Sequence, residues 1–530
     1  MAAVSPPGRD SARRTVRLRA GVAAAVIAAL TGGLGACTSG SPSKAPSSPA
    51  AQTPFVVART GDIDRLDPEL ATAFQTQQTL SLVYSTLVTT SPNGLIEPGL
   101  AASWTTSDNG LTISFSLRNG VVWHDGSPFT SADVQASIQR ILDPSTGAVS
   151  RSNLLAITAV DTPSPSKVVL HLSKPSGALL YSLASINSSI ESKSNIAAGT
   201  VGKSPDGTGP FVWKQWDQGR QVVLTANPGY YGGKPRIGTL EFKVISDESS
   251  ILSGMRTGAF QLGQLTDPGV ARQASLSGEA FQLVKEPALA YHVLMLNGRR
   301  GPLRKQQVRQ ALACAINKSE VLQVATFGDG TVTGPITSPA FTYSPTDGLP
   351  CTPGDTAKAK SMLSAAGYPH GFALATIVET GEYATGVAEA QDLQAQLLKI
   401  GVSMELKQLP TAPYVTAWLA GDFDAAVALN GGSFDPYLMY GRYFGTGGSL
   451  ATPGGLDSPT LAGLLAQGNA SNSAGQRQAV YGRLQMELLS ESPWVWLFRS
   501  DDYYLVGPKV QGFAPRPDAY LSSLAEVQSY

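Results

Sequence analysis

The chain has four histidines, and none stands where a metal site or a proton-transfer pair would need it. His124 lies in a turn, His171 and His292 in strand-like text, and His370 in a Gly/Pro-rich bend. No two have metal-ligand spacing, and no HExxH, CxxC or HxH accompanies them, so each reads as structural. The Gly-x-Ser-x-Gly turn that presents an esterase nucleophile does not occur. Gly202-Lys203-Ser204 looks like the end of a phosphate loop, but such a loop needs a glycine five residues earlier, where Ala197 stands. Carboxylate pairs of the glycosidase kind meet only in space. A secreted hydrolase therefore survives only as the least favoured alternative, and the text assigns no catalytic residue, cofactor or metal.

Cys37 is the residue whose context does imply chemistry. Residues 9 to 19 carry Arg9, Arg13, Arg14, Arg17 and Arg19 against the single acid Asp10, and residues 20 to 36 then run without a charge. A basic stretch followed by a short, Gly-containing apolar run reads as a secretory signal peptide over 1–36 rather than a membrane span. Its end, Leu34-Gly35-Ala36-Cys37, resembles a bacterial lipobox, in which the thiol is acylated and cleavage makes the cysteine the first mature residue. Residues 37–54 then form an acylated cysteine and a Ser/Pro/Ala tether too polar to bury itself. The expected address is the extracytoplasmic face of the cell membrane. Removing residues 1–36 takes away five arginines and one aspartate, leaving 34 bases against 38 acids and a net charge of −4.

The elements behind these residues are those of a multi-domain α/β protein. With 530 residues, 42% hydrophobic and 15% charged, the chain is neither disordered nor basic enough for nucleic acid, and it is too long for one core. Alternating text over 111–129 carries two turn dipeptides, Asn119-Gly120 and Asp125-Gly126, that read as hairpin or turn signals. Helical periodicity follows over 130–142, with Thr130 or Ser131 as N-cap and Asp133 in the first turn, and recurs over 302–316, 354–366 and 386–400. Strand text over 372–379, 402–409, 423–430 and 494–499 alternates with these helices, and the 372–409 stretch reads as a βαβ unit in a largely parallel sheet. Trp494, Trp496 and Phe498 read as core packing. Cys314 in a helix and Cys351 just before another are compatible with a disulfide closing 37 residues or with two separate buried thiols, since spacing does not give their separation in space.

Several blocks in order carry a resemblance. Residues 62–134, opening DIDRLDPELATAFQTQQTLSLVYSTL and ending NGVVWHDGSPFTSADV, resemble the start of the family 5 extracellular solute-binding proteins, which include dipeptide- and oligopeptide-binding proteins of ABC importers. Further blocks match at 207–233, 303–321, 355–368, 392–406 and 423–444, covering nearly the whole mature chain. The resemblance implies a two-lobed, periplasmic-binding-protein-like α/β fold. The large lobe would comprise 55–287 and 497–530, with a subdomain at about 91–200, and the second α/β lobe 288–496. The chain would cross between lobes near 286–297 and 492–502.

The implied function is capture of a small-molecule or peptide-class ligand by a monomeric lipoprotein that delivers it to ABC permease subunits; an envelope scaffold or sensor on the same fold is the alternative. Ligand contacts are expected from Phe74, Gln75 and Thr76, from Glu382 and Tyr383, and from Leu429, Asn430, Gly432, Ser433, Phe434 and Asp435. One departure stands out. Peptide-binding relatives hold the ligand ammonium with an aspartate four residues before the proline of this last loop, and counting back from Pro436 gives Gly432; a family tryptophan on the same strand is Leu429 here. Because an unpaired buried ammonium is costly, the missing acid predicts a blocked, modified or weakly charged ligand, unless Glu382 or another acid substitutes from a different loop.

Overall fold

The computed structural model describes residues 53–276, 278, 280–341, 343–380 and 383–529. The signal peptide, Cys37, nearly all of the tether and Glu382 lie outside the described residues.

The strand Phe55–Arg59, apolar up to its terminal arginine, is buried along its whole length because it runs parallel to both of its sheet neighbours, Thr239–Val244 and Leu262–Leu265, which leaves both faces to be covered. It is the middle of a seven-stranded sheet in the order 282–287, 501–506, 262–265, 55–59, 239–244, 221–226, 211–217. A separate four-stranded antiparallel sheet orders 101–106, 112–117, 167–172 and 157–164. Helix Ser131–Leu142 packs on it through Val134, Ile138 and Ile141. Of the two N-cap candidates Thr130 takes the position, and Asp133 Oδ2 accepts from the Thr130 amide at 2.8 Å to close a reciprocal capping box.

Of the two dipeptides read as hairpin or turn signals, Asp125-Gly126 closes a tight turn, with the Gly126 amide donating to the Trp123 carbonyl at 2.9 Å, whereas Asn119-Gly120 joins no pair of ladder strands. Strand Thr112–Leu117 pairs instead with Ala101–Thr106 and Lys167–Leu172, and beyond Gly120 only the bridge Val122–Pro128 remains. The loop is fastened elsewhere: His124 Nε2 bonds the Gly209 carbonyl at 3.0 Å and its Nδ1 accepts from the Gly207 amide at 3.2 Å.

A six-stranded sheet builds the second lobe, in the order 331–332, 494–499, 291–296, 425–430, 372–379, 402–409. The βαβ unit is present: Phe372–Glu379 and Val402–Leu409 are parallel and joined by helix Gly386–Leu398. The sheet as a whole is mixed rather than largely parallel, because Tyr291–Leu296 enters antiparallel to both Ala425–Asn430 and Trp494–Arg499. Helices Gln306–Ala315, Thr356–Ala365 and Gly386–Leu398 cover one face. An aromatic cluster that includes Trp494, Trp496, Tyr440, Tyr443 and Tyr481 fills the other. Cys314 and Cys351 are joined as a disulfide with Cα atoms 5.8 Å apart, tying helix Gln306–Ala315 to the loop that leads into helix Thr356–Ala365.

The chain leaves the large sheet after Pro287 and enters the second at Tyr291; it returns at Ser500, between strands Trp494–Arg499 and Asp501–Val506. Residues 497–499 therefore belong with the second sheet, not with the large lobe as the sequence suggests. The ladder simply continues, with Phe498 opposite His292 and Arg499 opposite Thr331. The two crossings are hydrogen-bonded to one another, the Ala288 amide donating to the Ser500 carbonyl at 3.1 Å.

Candidate functional site

A cavity of about 410 Å³ opens beside the two crossings and is walled from both lobes. Phe74 enters from the large lobe as the first residue of helix Phe74–Leu80 and is 43% exposed. That helix is fixed from behind: Gln78 Nε2 donates to the Ala519 carbonyl at 2.7 Å, docking it on the C-terminal segment whose Pro517–Tyr520 form a further wall. The facing wall is the loop Gly431–Phe434, and Ala288–Ala290 of the first crossing run between the two.

Glycine is demanded at 432 because a Cβ there would run into the carbonyl oxygen of Leu289 on the crossing. The loop backbone thus lies directly on the first crossing, and no side chain, an aspartate included, fits at this position. Downstream, Ser338 Oγ donates to the Phe434 carbonyl at 2.8 Å, holding the loop from the second-lobe side.

Phe74, Gly432, Ser433 and Phe434, all anticipated from the sequence, line the cavity. The other anticipated residues that are described do not. Gln75 borders a separate space of about 50 Å³ on the far side of Phe74. Thr76 is buried within the lobe, its Oγ1 donating to Asp64 Oδ1 at 2.7 Å and accepting from the Asp64 amide at 3.0 Å. Leu429 is a strand residue opposite His292, and Asn430 is buried, its Oδ1 accepting from the Tyr443 hydroxyl at 3.1 Å. Tyr383 packs edge-on against the His292 ring with centroids 5.5 Å apart. Asp435 is buried: Oδ1 caps helix Pro436–Phe444 by accepting from the Tyr437 amide at 2.9 Å, and Oδ2 pairs with Arg477. Thr76, Asn430 and Asp435 turn inward because the helix start or strand that carries each directs its side chain to its own lobe's core.

Two carboxylates that the sequence did not single out do line the cavity, Asp502 and Asp518. Burial first, then the like charges of Asp501, Glu286 and Asp518, push Asp502 up to about 7. Asp518 is held by Arg516 in a two-pronged pair, Nε–Oδ1 at 2.9 Å and Nη2–Oδ2 at 2.7 Å. The Tyr181 hydroxyl, also on the wall, is shifted up by burial and donates to the Gly94 carbonyl at 3.1 Å. Strand alternation alone could have placed Asp502 on the face of Tyr504, but which face the cavity occupies depends on the C-terminal segment, far away in the chain. Among the described residues no group of three His, Cys, Asp or Glu side chains is placed to hold a metal ion. No described helix is long and apolar enough to cross a membrane.

Residues 96–450 match the family model for the middle region of the bacterial extracellular solute-binding proteins, family 5. The glutathione-binding protein GsiB of Escherichia coli K12 is 26% identical over 493 residues, which span 88% of this chain and 93% of that protein. Among solved structures, HbpA2 from Haemophilus parasuis superposes with a TM-score of 0.79 at 26% identity, over 90% of this chain and 99% of that one. AgaA from A. tumefaciens R10, solved with agropinic acid, gives a TM-score of 0.75 at 27% identity, over 90% and 98%.

Proposed function

Because the chain belongs to the family 5 bacterial extracellular solute-binding proteins, we propose that it captures a peptide-class small molecule in the cavity beside the crossings and delivers it to the permease subunits of an ABC importer. The observation that carries this reading is that the cavity takes its walls from both lobes, from the first crossing and from the strand that follows the second: Phe74, Leu289, Phe434 and Asp502 converge on one space of about 410 Å³. Such a volume suits a ligand of a few residues' size. The similarity to GsiB, a glutathione-binding protein, supports the ligand class.

The lobes move about residues 288–290 and Ser500, the stretches where the chain leaves one sheet for the other; hinges of this kind are a few element-end residues that absorb the rotation. Phe74, Gly432, Ser433 and Phe434 contact the ligand. Cys37 carries the acyl anchor, residues 38–54 tether the folded body, and the protein works as a monomer on the outer face of the membrane. A single acyl chain binds a bilayer only marginally, so stable anchoring takes more than one.

Two measurements test the reading. Native mass spectrometry of protein purified from its own host should show a bound molecule of peptide-like mass, and adding that molecule to stripped protein should shrink the solution scattering radius as the lobes close. A full chain that carries nothing and does not compact with any molecule from its medium would defeat capture. Cys37→Ala should leave folding intact and move the protein out of the membrane fraction; retention of that variant in high salt would defeat the anchor.

A further inference from the structure

Three acidic residues, Glu286, Asp501 and Asp502, stand where strand Gln282–Pro287 ends and strand Asp501–Val506 begins at the crossings. The strands are antiparallel, and their register sets Glu286 opposite Asp502 and Pro287 opposite Asp501. Because side chains alternate along a strand, Asp502 shares its face with Tyr504 and Val506, whereas Asp501 shares the other with Tyr503. Tyr504 and Val506 pack in the core that includes Leu80 of helix Phe74–Leu80 and Leu521 of the C-terminal segment. The same face therefore delivers Asp502 to the cavity, where Phe74, Asp518 and Ala519 are its fellow wall residues.

Among the described residues no basic side chain pairs with Asp502. The bases around it are engaged elsewhere. Arg516 holds Asp518, and Lys285 Nζ holds Asp329 Oδ1 at 2.6 Å. Arg499 donates to the Thr337 carbonyl at 2.8 Å, and Arg59 donates to the Gln75 carbonyl at 3.2 Å and the Thr79 hydroxyl at 3.0 Å, its Nε alone lacking a partner. The charged groups that act on Asp502 are all acids: Asp501 from its own strand, Glu286 from the partner strand and Asp518 from the C-terminal segment. A half-buried anion whose acting neighbours are anions is unfavourable in the empty protein and becomes favourable when a cation enters, which is the electrostatic arrangement of a cation receptor.

We propose that Asp502 receives a cationic group of the captured ligand, a primary ammonium or a guanidinium, at the crossing end of the cavity. The proposal rests on the capture reading above and narrows its ligand class. It also answers the question that the loop leaves open: an acid from elsewhere substitutes for the one Gly432 cannot supply, and that acid stands on the strand that follows the second crossing.

The test uses the full chain and Asp502→Asn, which keeps the shape of the side chain and removes its charge. Trialanine, N-acetyl-trialanine and agmatine are titrated by calorimetry at pH 8, and any molecule that copurifies from the host is weighed by native mass spectrometry. Support is an amine or guanidinium ligand, probe or copurified, whose affinity falls on the order of 10- to 100-fold in Asp502→Asn, with acetylation costing the wild type a similar factor and the variant little. Thermal unfolding of the variant at or above the wild-type temperature shows that the loss is not misfolding. Binding that survives both acetylation and Asp502→Asn, or a copurified ligand without a basic group, overturns the proposal and leaves capture standing. A wild-type protein that binds no probe and carries no ligand defeats the capture reading and this inference with it.

Discussion

Asp435 Oδ2 forms a buried ion pair with Arg477, which reaches it from helix Ala474–Glu491. The acid that stands closest to the proline of the site loop is thereby committed to architecture: it caps helix Pro436–Phe444 and neutralises a guanidinium that also bonds the Tyr481 hydroxyl at 3.1 Å. Removing one partner of a buried pair leaves the other charged and dry, at a cost of about 3–5 kcal/mol. Arg477→Met is expected to lower stability by that order and to loosen the loop. Asp435→Asn, which keeps the cap but leaves the Arg477 guanidinium without its counter-charge, should cost at least as much. Denaturant unfolding of both variants checks this; losses below about 1 kcal/mol in both would mean that the cap and not the ion pair holds the loop.

Gly432 offers a second, purely steric check. Alanine at this position must push the loop off Leu289 or displace the first crossing, and such overpacking costs about 1–3 kcal/mol. Gly432→Ala should lower the unfolding temperature and weaken ligand retention, whereas alanine at Gly431, whose Cβ would meet nothing, should leave the unfolding temperature close to wild type. Comparable stability of the two variants would show that the loop can shift freely.

The fold was legible where a segment states its own periodicity. Strands 372–379, 402–409 and 494–499 run with the bounds their patterning suggests, and helix Gly386–Leu398 ends before the Gly401 stop. Pairing direction was not legible: Tyr291–Leu296 finds its antiparallel partners far along the chain, at 425–430 and 494–499, and nothing local specifies that choice. The same limit governs the site. Phe74 and the 432–434 loop could be placed by resemblance, but Thr76 turns to Asp64 and Asn430 to Tyr443, contacts that sequence neighbours do not reveal. Asp502 stayed hidden because an Asp-Asp pair at a strand start reads as solvent-exposed, and only the packing of residues 517–520 against that face makes it a cavity wall.

The Cys314–Cys351 bridge lies in the second lobe away from the cavity walls, so its removal should separate stability from binding. Closing a loop of this length, a sequence separation of 37, stabilises by roughly 4 kcal/mol in the chain-entropy model. Reduction, or the double change Cys314→Ala and Cys351→Ala, is expected to lower the denaturation midpoint markedly while ligand affinity in the remaining folded protein stays within a few-fold. A midpoint unmoved by reductant would show that the bridge adds nothing to the packed helices.

The crossing acids should also make the empty protein less stable at neutral than at mildly acidic pH. The ordinary carboxyl value for Asp502 is 3.8, and in the folded chain it is pushed up to about 7. Between those values the folded protein binds the proton more tightly than the unfolded chain does, so stability is highest while both forms are protonated, falls as pH rises from about 4 to about 7, and levels off above. Glu286, opposite in register and also shifted up, adds to the same trend. Asp502→Asn removes the ionisation without removing the shape. At pH 8 it should therefore be more stable than the wild type, on the order of 2 kcal/mol, and near pH 4 the two should converge. Glu286→Gln should act in the same direction with a smaller gain, because Glu286 is less enclosed. Denaturant midpoints for the three proteins, measured without ligand from pH 4 to pH 9, decide the matter. A difference between Asp502→Asn and wild type that is constant across that range would mean that Asp502 titrates normally and that the like charges at the crossings are relieved by solvent. A difference that grows through neutrality would locate the repulsion at the strand pair that joins the two lobes, the place where a cationic ligand would cancel it.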